Sequence, residues 1–338
     1  LNAAVRSPVW IPARRRELLV LGTYFTLVVL ITDVLNIRLG VELLLLTVAI
    51  AAAAISRLPV RFLHDWWFYL AGLILWNLSG PVAADSPFPY HLDFMLQADR
   101  ALFFGHDPVI LVRDALHAGS KPGPLEYLSA ILYNLHLPEP FFAAYFLWRI
   151  NRPLYFQFAA AVLALLVLGM VTFIVFPAVP PWMASKPLVS FHGKYLYPWV
   201  AAAGGYPGGL QAAWAHAHVF LRGVTNGFGL VLRAYPVPFH GAPLFYLFNL
   251  RGDAVAAFPS EHAAMPLLEL LAFRVAAPKV AYLLGIWIAL VWLSILFLGE
   301  HWVTDALAGT VYALVAWFLV RAFVCIRSPR LPSGQAGS

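Results

Sequence analysis

Long apolar runs decide what this chain becomes. A helix rises about 1.5 Å per residue, so roughly 20 apolar residues cross a hydrocarbon core about 30 Å thick. Runs near that length occur at Leu18–Ile37, in a second stretch ending near Ser56, and at Phe62–Ser79, Leu125–Trp148 and Leu154–Phe176. Three more follow at Glu261–Ala277, Val280–Leu298 and Trp302–Val324. Of the 338 residues, 62% are hydrophobic and 11% charged, whereas a soluble domain is about a quarter charged. The expected fold is all-α and integral to the membrane, a polytopic bundle of about eight transmembrane helices, because helices satisfy their own backbone in lipid.

The runs divide the chain into an N-terminus (1–17), three N-terminal spans (18–80), an interfacial segment (81–124), a core (125–325) containing a long loop (178–257), and a tail (326–338). The first run is long for a signal peptide and no small-residue cleavage site closes it, so it reads as an uncleaved span. Within the interfacial segment, Leu92–Phe104 sets Leu92, Met95, Leu96, Leu102 and Phe103 among Asp93, Asp99 and Arg100, the pattern of an amphipathic surface helix. The loop 178–257 is too long and too aromatic for a passive connection. A single cysteine, Cys325, excludes an internal disulfide.

The net charge of +6 does not indicate nucleic-acid binding once the basic residues are placed. Arg14–Arg16, Arg57, Arg61, Arg149, Arg152, Arg274, Lys279, Arg321 and Arg327 all fall on one side of an eight-span topology. The positive-inside rule makes that side cytoplasmic, with both termini inside. The long loop, His262, His301 and Asp305 then lie at the outer face.

The chemistry-bearing residues bracket the sixth and seventh spans. Phe258-Pro-Ser-Glu-His262 opens one and Gly299-Glu-His301-Trp-Val-Thr-Asp305 follows the other, so a chain that crosses and returns brings both histidines to one surface. Asp305 stands one helical turn after His301, on the same face. A neutral His301 imidazole would attack phosphorus and form a phosphohistidine. Asp305 would hold its other nitrogen, His262 would protonate the leaving oxygen and then activate the acceptor, and Ser260 at a helix start would receive a phosphate oxygen. The bland readings are solvated interfacial histidines and an ordinary serine cap.

P-S-x-H followed by G-x-H-x-x-x-D-x-x-x-G resembles the second and third signature motifs of the type 2 phosphatidic acid phosphatase (PAP2) superfamily. The branch most similar is that of the fungal inositol phosphorylceramide synthase and its bacterial relatives. Tyr133-x-x-His136-x-x-x-Pro140 and Phe176-Pro-Ala-Val-Pro-Pro-Trp182 add fainter resemblance. It implies a PAP2-like helical core and the roles above for His262, His301 and Asp305. It also implies a metal-independent, cofactor-free lipid phosphatase or phosphotransferase in a bacterial plasma membrane. The partners are then the lipid bilayer and a phospholipid or polyprenyl-phosphate substrate.

Two departures matter. Arg152-Pro153 mimics the end of the first signature, but Tyr145 replaces its lysine and the topology puts Arg152 a membrane away from His262. Ser294 and Ile295 occupy the Ser-Arg positions before the third-motif histidine, so the phosphate-clamping arginine is missing, as it often is in the synthase-like branch. Arg251 and Arg222 are the substitutes singled out among Lys186, Lys194, Arg222, Arg233 and Arg251. His216-x-His218 lacks further ligands for a metal. Trp182, Trp199 and Trp214 suit an interfacial belt. Three functions stay open: lipid phosphatase, inositol-phosphate-type headgroup transferase, and a non-catalytic transporter or scaffold. The last is disfavoured by the lack of an internal repeat.

Overall fold

The structure, a computed structural model, describes residues 59–78, 86–118, 121–136, 138–184, 190–191, 194–195 and 256–327. The first two expected spans, most of the loop 178–257 and the end of the tail lie outside these residues. The chain forms two compact units, 1–77 with 235–250, and 78–234 with 251–338. Of the first unit, helix α1 (Pro59–Leu78) is described. Phe62, Trp66 and Tyr69 recur along one face and are fully buried, and the Phe62 and Trp66 rings stack at 4.8 Å.

The second unit contains α2 (Asp93–Leu102), α3 (Pro108–Ala115), α4 (Pro124–Leu135), α5 (Glu139–Ile150) and α6 (Arg152–Val175). After the short α7 (Pro181–Ala184), strands β1 (Ser190–Phe191) and β2 (Lys194–Tyr195) pair antiparallel. Then come α8 (Glu261–Ala276), α9 (Pro278–Phe297) and α10 (Val303–Arg327). Residues Arg152–Val175, Pro278–Phe297 and Val303–Val324 are long and apolar enough to cross a membrane. Tyr282, Leu283 and Ile286 on α9, and Val311, Phe318 and Leu319 on α10, are exposed. Such apolar faces suit hydrocarbon rather than water.

Local sequence sets the helix ends. Asn151 caps α6 by accepting from Leu154 N–H at 3.2 Å, with Pro153 in the first turn, where a missing N–H costs nothing. A single residue, Ala277, separates α8 from α9, which opens on Pro278. Ser260 caps α8, its Oγ accepting from Ala263 N–H at 3.3 Å.

Helix α8 is the hub, packing on α5, α6, α9 and α10. Its 16 residues make about 24 Å, short of a core of about 30 Å. Thr172 on α6 and Tyr312 on α10 share a 2.8 Å hydrogen bond. Where one span is expected over Leu125–Trp148, the structure has two twelve-residue helices, α4 and α5, with a break at residues 136–138. Pro138 is the cause: it donates no backbone hydrogen bond and disfavours a helical residue before it, whereas Pro140 sits in the first turn of α5, where it is tolerated.

α10 crosses the start of α8 at Gly309, where a Cβ would collide with the Ser260 carbonyl, a backbone atom with no freedom to retreat. Gly285 on α9 is the contrast, since a Cβ there would meet only Leu270 Cδ1 at 3.9 Å. Gly309→Ala should therefore lower the melting temperature of detergent-purified protein, with a cost of about 1–3 kcal/mol. Gly285→Ala should leave it unchanged or raise it slightly. Equal melting temperatures for the two variants would contradict the close crossing.

Candidate active site

Three segments distant in the chain form the rim of the site. His91 N–H donates to the Pro177 carbonyl at 2.8 Å, Val179 N–H to the His91 carbonyl at 3.1 Å, and Ala257 N–H to the Ala178 carbonyl at 3.2 Å. The α9–α10 connection is pinned to this rim. Trp302 Nε1–H donates to the Val179 carbonyl at 2.7 Å, Trp182 N–H to the Gly299 carbonyl at 2.9 Å, and Trp182 Nε1–H to Glu300 Oε2 at 2.9 Å. Gly299 turns the chain with φ 74°, a backbone state glycine adopts without strain.

His301 sits on that connection, buried. Its Nδ1 is 3.1 Å from the Ala257 carbonyl and 3.3 Å from Asp305 Oδ2. A carbonyl only accepts, so Nδ1 carries the proton and Nε2 holds a lone pair. That lone pair faces His262 Nδ1 at 3.2 Å, which must then be the donor. Asp305 Oδ2 also accepts from Trp302 N–H at 2.9 Å, and its carboxylate is fully buried. The Ser260 N–H donates to the Asp305 carbonyl at 3.0 Å, tying the start of α8 to α10. Burial lowers the His301 imidazole to a pKa of about 4, the Ala257 carbonyl pulling in the opposite direction.

The structure thus brings together four of the residues expected from sequence: His301, His262, Asp305 and Ser260. Ser260 is fully buried and does cap its helix. Arg251 and Arg222, like Lys186, Arg233, His216, His218, Trp199 and Trp214, lie outside the described residues. Arg152 starts α6, whose opposite end leads into the rim; 24 residues put it about 36 Å from the site. Ser294 Oγ–H donates to its own helix at the Leu290 carbonyl, 2.8 Å, and Ile295 is fully buried. No Lys or Arg among the described residues hydrogen-bonds His262, His301, Asp305 or Ser260.

Two residues of the site had no role assigned to them from sequence, although His136 stood in the Tyr133-x-x-His136-x-x-x-Pro140 resemblance. Asp99 of α2 is fully buried and caps α10. Its Oδ2 accepts from Val303 N–H at 3.0 Å, and its Oδ1 from Thr304 N–H at 2.8 Å and Thr304 Oγ1–H at 2.6 Å. Burial raises its pKa, and these donors oppose the rise. The signal was its spacing: Leu92, Met95, Leu96 and Asp99 share the face that α2 buries, so a carboxylate stood on an otherwise apolar stripe. The other is His136, whose ring centroid lies 4.1 Å from that of His262, as Tyr133 does at 4.3 Å.

Removing the Asp99 carboxylate strands two buried N–H donors at the head of α10, at a cost of about 1–3 kcal/mol for each unsatisfied group. Asp99→Ala should lower the melting temperature and speed amide exchange at Val303 and Thr304 above that of residues later in α10. Unchanged exchange at those two amides would mean that Asp99 does not hold the helix.

The PAP2 superfamily model matches residues 93–229 and 245–319, more than half of the 338-residue chain. The matched stretches include Asp99, His136, Ser260, His262, His301 and Asp305. No curated protein and no solved structure matches the chain. Members of the superfamily are generally phosphatases. Motif spacing, helical architecture and family match agree, and the chain belongs to the PAP2 superfamily.

Proposed function

We propose that the protein is a membrane-embedded lipid phosphoesterase that works through a phosphohistidine on His301, at the outer face of an eight-span bundle. The observation that carries this reading is the tautomer. Ala257 and Asp305 both engage Nδ1 of His301, which directs the Nε2 lone pair towards His262. A neutral, fixed and poorly solvated imidazole is a suitable nucleophile for phosphorus.

That lone pair accepts from His262, 3.2 Å away. A phosphoryl group entering between the rings replaces this hydrogen bond, since reacting atoms must come within about 3–3.5 Å of phosphorus. His301 attacks, the bond from phosphorus to the leaving oxygen breaks, and His262, entering as the imidazolium, gives that oxygen a proton and is left neutral. Asp305 stabilises the positive charge that grows on the His301 ring. His262 then takes a proton from the acceptor, which attacks phosphorus and frees His301. The scheme draws its stabilisation from side chains and helix termini, with no metal ion in any step.

Orientation is supported by the basic residues of the unit. Arg149, Arg152, Arg274, Lys279 and Arg321 stand near the helix ends opposite His301, where positive-inside topology requires the cytoplasm. The acceptor is water in a phosphatase and an alcohol in a headgroup transferase. Ile295, in place of the clamping arginine, favours the synthase-like branch.

His301→Asn and His262→Ala should each cut turnover of phosphatidic acid, a polyprenyl diphosphate or a phosphatidylinositol by roughly 10²–10⁴-fold. Acid-labile phosphate should be trapped on the wild-type chain and not on His301→Asn. Wild-type turnover by both variants would end the assignment. Free phosphate against transferred headgroup, scored with an added alcohol, separates the two acceptors.

The pH profile is a further test. A nucleophile with its pKa lowered to about 4 stays neutral as pH falls through 6.5, and loses its lone pair only near 4. The acid limb of kcat/KM assigned to His301 should therefore lie near pH 4. A limb near 6.5 would show an ordinary, solvated imidazole instead.

A further inference from the structure

His136 has no assigned part in the scheme, yet it occupies the site. It follows the last turn of α4, is 5% exposed, and its ring centroid is 4.1 Å from that of His262 at a 40° tilt. Its Nδ1 is buried without a hydrogen-bond partner among the described residues. A buried polar nitrogen left unpaired needs a reason. The break between α4 and α5, imposed by Pro138, ends the helix where this ring meets the first turn of α8.

The donor inventory supplies the reason. A phosphoryl group in flight spreads charge over three oxygens, and each needs a donor at hydrogen-bond distance. Around His262 and His301 the described groups that carry a donor include the Ser260 hydroxyl, the first N–H groups of α8 and the hydroxyl of Tyr133, whose ring lies 4.3 Å from that of His262. Ile295 fills the position of the superfamily's arginine. An imidazole always offers one N–H in its neutral form.

We propose that His136 is a phosphate-binding residue of this centre, its imidazole hydrogen-bonding a nonbridging oxygen of the phosphoryl group. The inference rests on the phosphohistidine reading above. It is distinct from a packing role, in which the ring would only lie against His262. No described residue pairs the nitrogen, and bound substrate would satisfy it. The ligand class is a phosphate mono- or diester, and orthovanadate, with the same oxygens in trigonal-bipyramidal array, is the probe.

The experiment uses the full chain in detergent with phosphatidic acid as substrate and orthovanadate as inhibitor. His136→Phe keeps a ring against His262 and removes both nitrogens. His136→Asn returns an amide near the Nδ1 position. Vanadate inhibition should weaken about tenfold or more in the phenylalanine variant, as expected for one lost hydrogen bond to a charged group, and recover in part with asparagine. Undiminished vanadate inhibition in His136→Phe overturns the proposal, whatever happens to turnover. Should that variant fail to fold, His136→Ala and His136→Asn are compared in the same way, and equal vanadate affinity overturns it. A wild-type protein without turnover and without vanadate binding, tested by thermal shift, would instead sink the parent reading. A dead His301→Asn beside a normal His136→Phe would remove the present inference alone.

Discussion

One backbone hydrogen bond, from Ser260 N–H to the Asp305 carbonyl at 3.0 Å, sets the register of everything around it. It joins the residue that caps α8 to the first turn of α10, and so fixes His262 and His301, 39 positions apart in the chain, at one level. The helices can approach this closely only because Gly309, one turn beyond Asp305, has no side chain to meet the Ser260 backbone. In a bundle shielded from water, polar backbone atoms must find partners within the protein. A small residue at the crossing lets the partner be the neighbouring helix.

The rim extends the same logic to segments that are neither helix nor membrane span. His91, residues 177–179 and Ala257 are joined by backbone hydrogen bonds and together present the Ala257 carbonyl to His301. Trp302 and Trp182 anchor the connection that carries His301, each through its indole N–H. Buried tryptophan usually pairs that N–H, and here two large apolar rings also act as two fixed donors. Asp99 completes the frame from a third direction by holding the head of α10. His301 is therefore oriented by elements from α2, the α6–α7 connection, the α8 lead-in and α10, with the Ala257 carbonyl and Asp305 setting its tautomer.

Much of this was legible in the sequence because membrane helices announce themselves by length and their ends by capping chemistry. The expected spans Leu154–Phe176, Val280–Leu298 and Trp302–Val324 fall within two residues of the observed helix starts, and Ser260 caps as its position suggested. The pairing of His301 with Asp305 followed from i+4 spacing. The break at residues 136–138 was present as Pro138, but apolar content on both sides outweighed it. Asp99 was harder. A carboxylate in an amphipathic surface helix usually faces water, and only the partner that receives it, the N–H pair at the head of α10 204 and 205 positions later, reveals otherwise. Side chain-to-backbone bonds across such separations leave no periodic trace. His136 shows the same limit, because ring proximity to His262 depends on how α4 and α8 pack.

The absent arginine is the other side of that packing. A guanidinium at Ile295, which is fully buried, would have to give up its hydration there. Leaving a buried charge unpaired costs about 3–5 kcal/mol, whereas an imidazole nitrogen without a partner costs about 1–3 kcal/mol. In the proposed scheme a neutral donor set around phosphate gives less attraction per contact than an arginine clamp. It also demands far less of the empty protein, since neither His301 nor His136 has to carry charge before substrate arrives. A site embedded at the end of a short, buried helix such as α8 favours that exchange. Water cannot solvate a waiting cation there, and the substrate itself supplies the charge around which the donors are arranged.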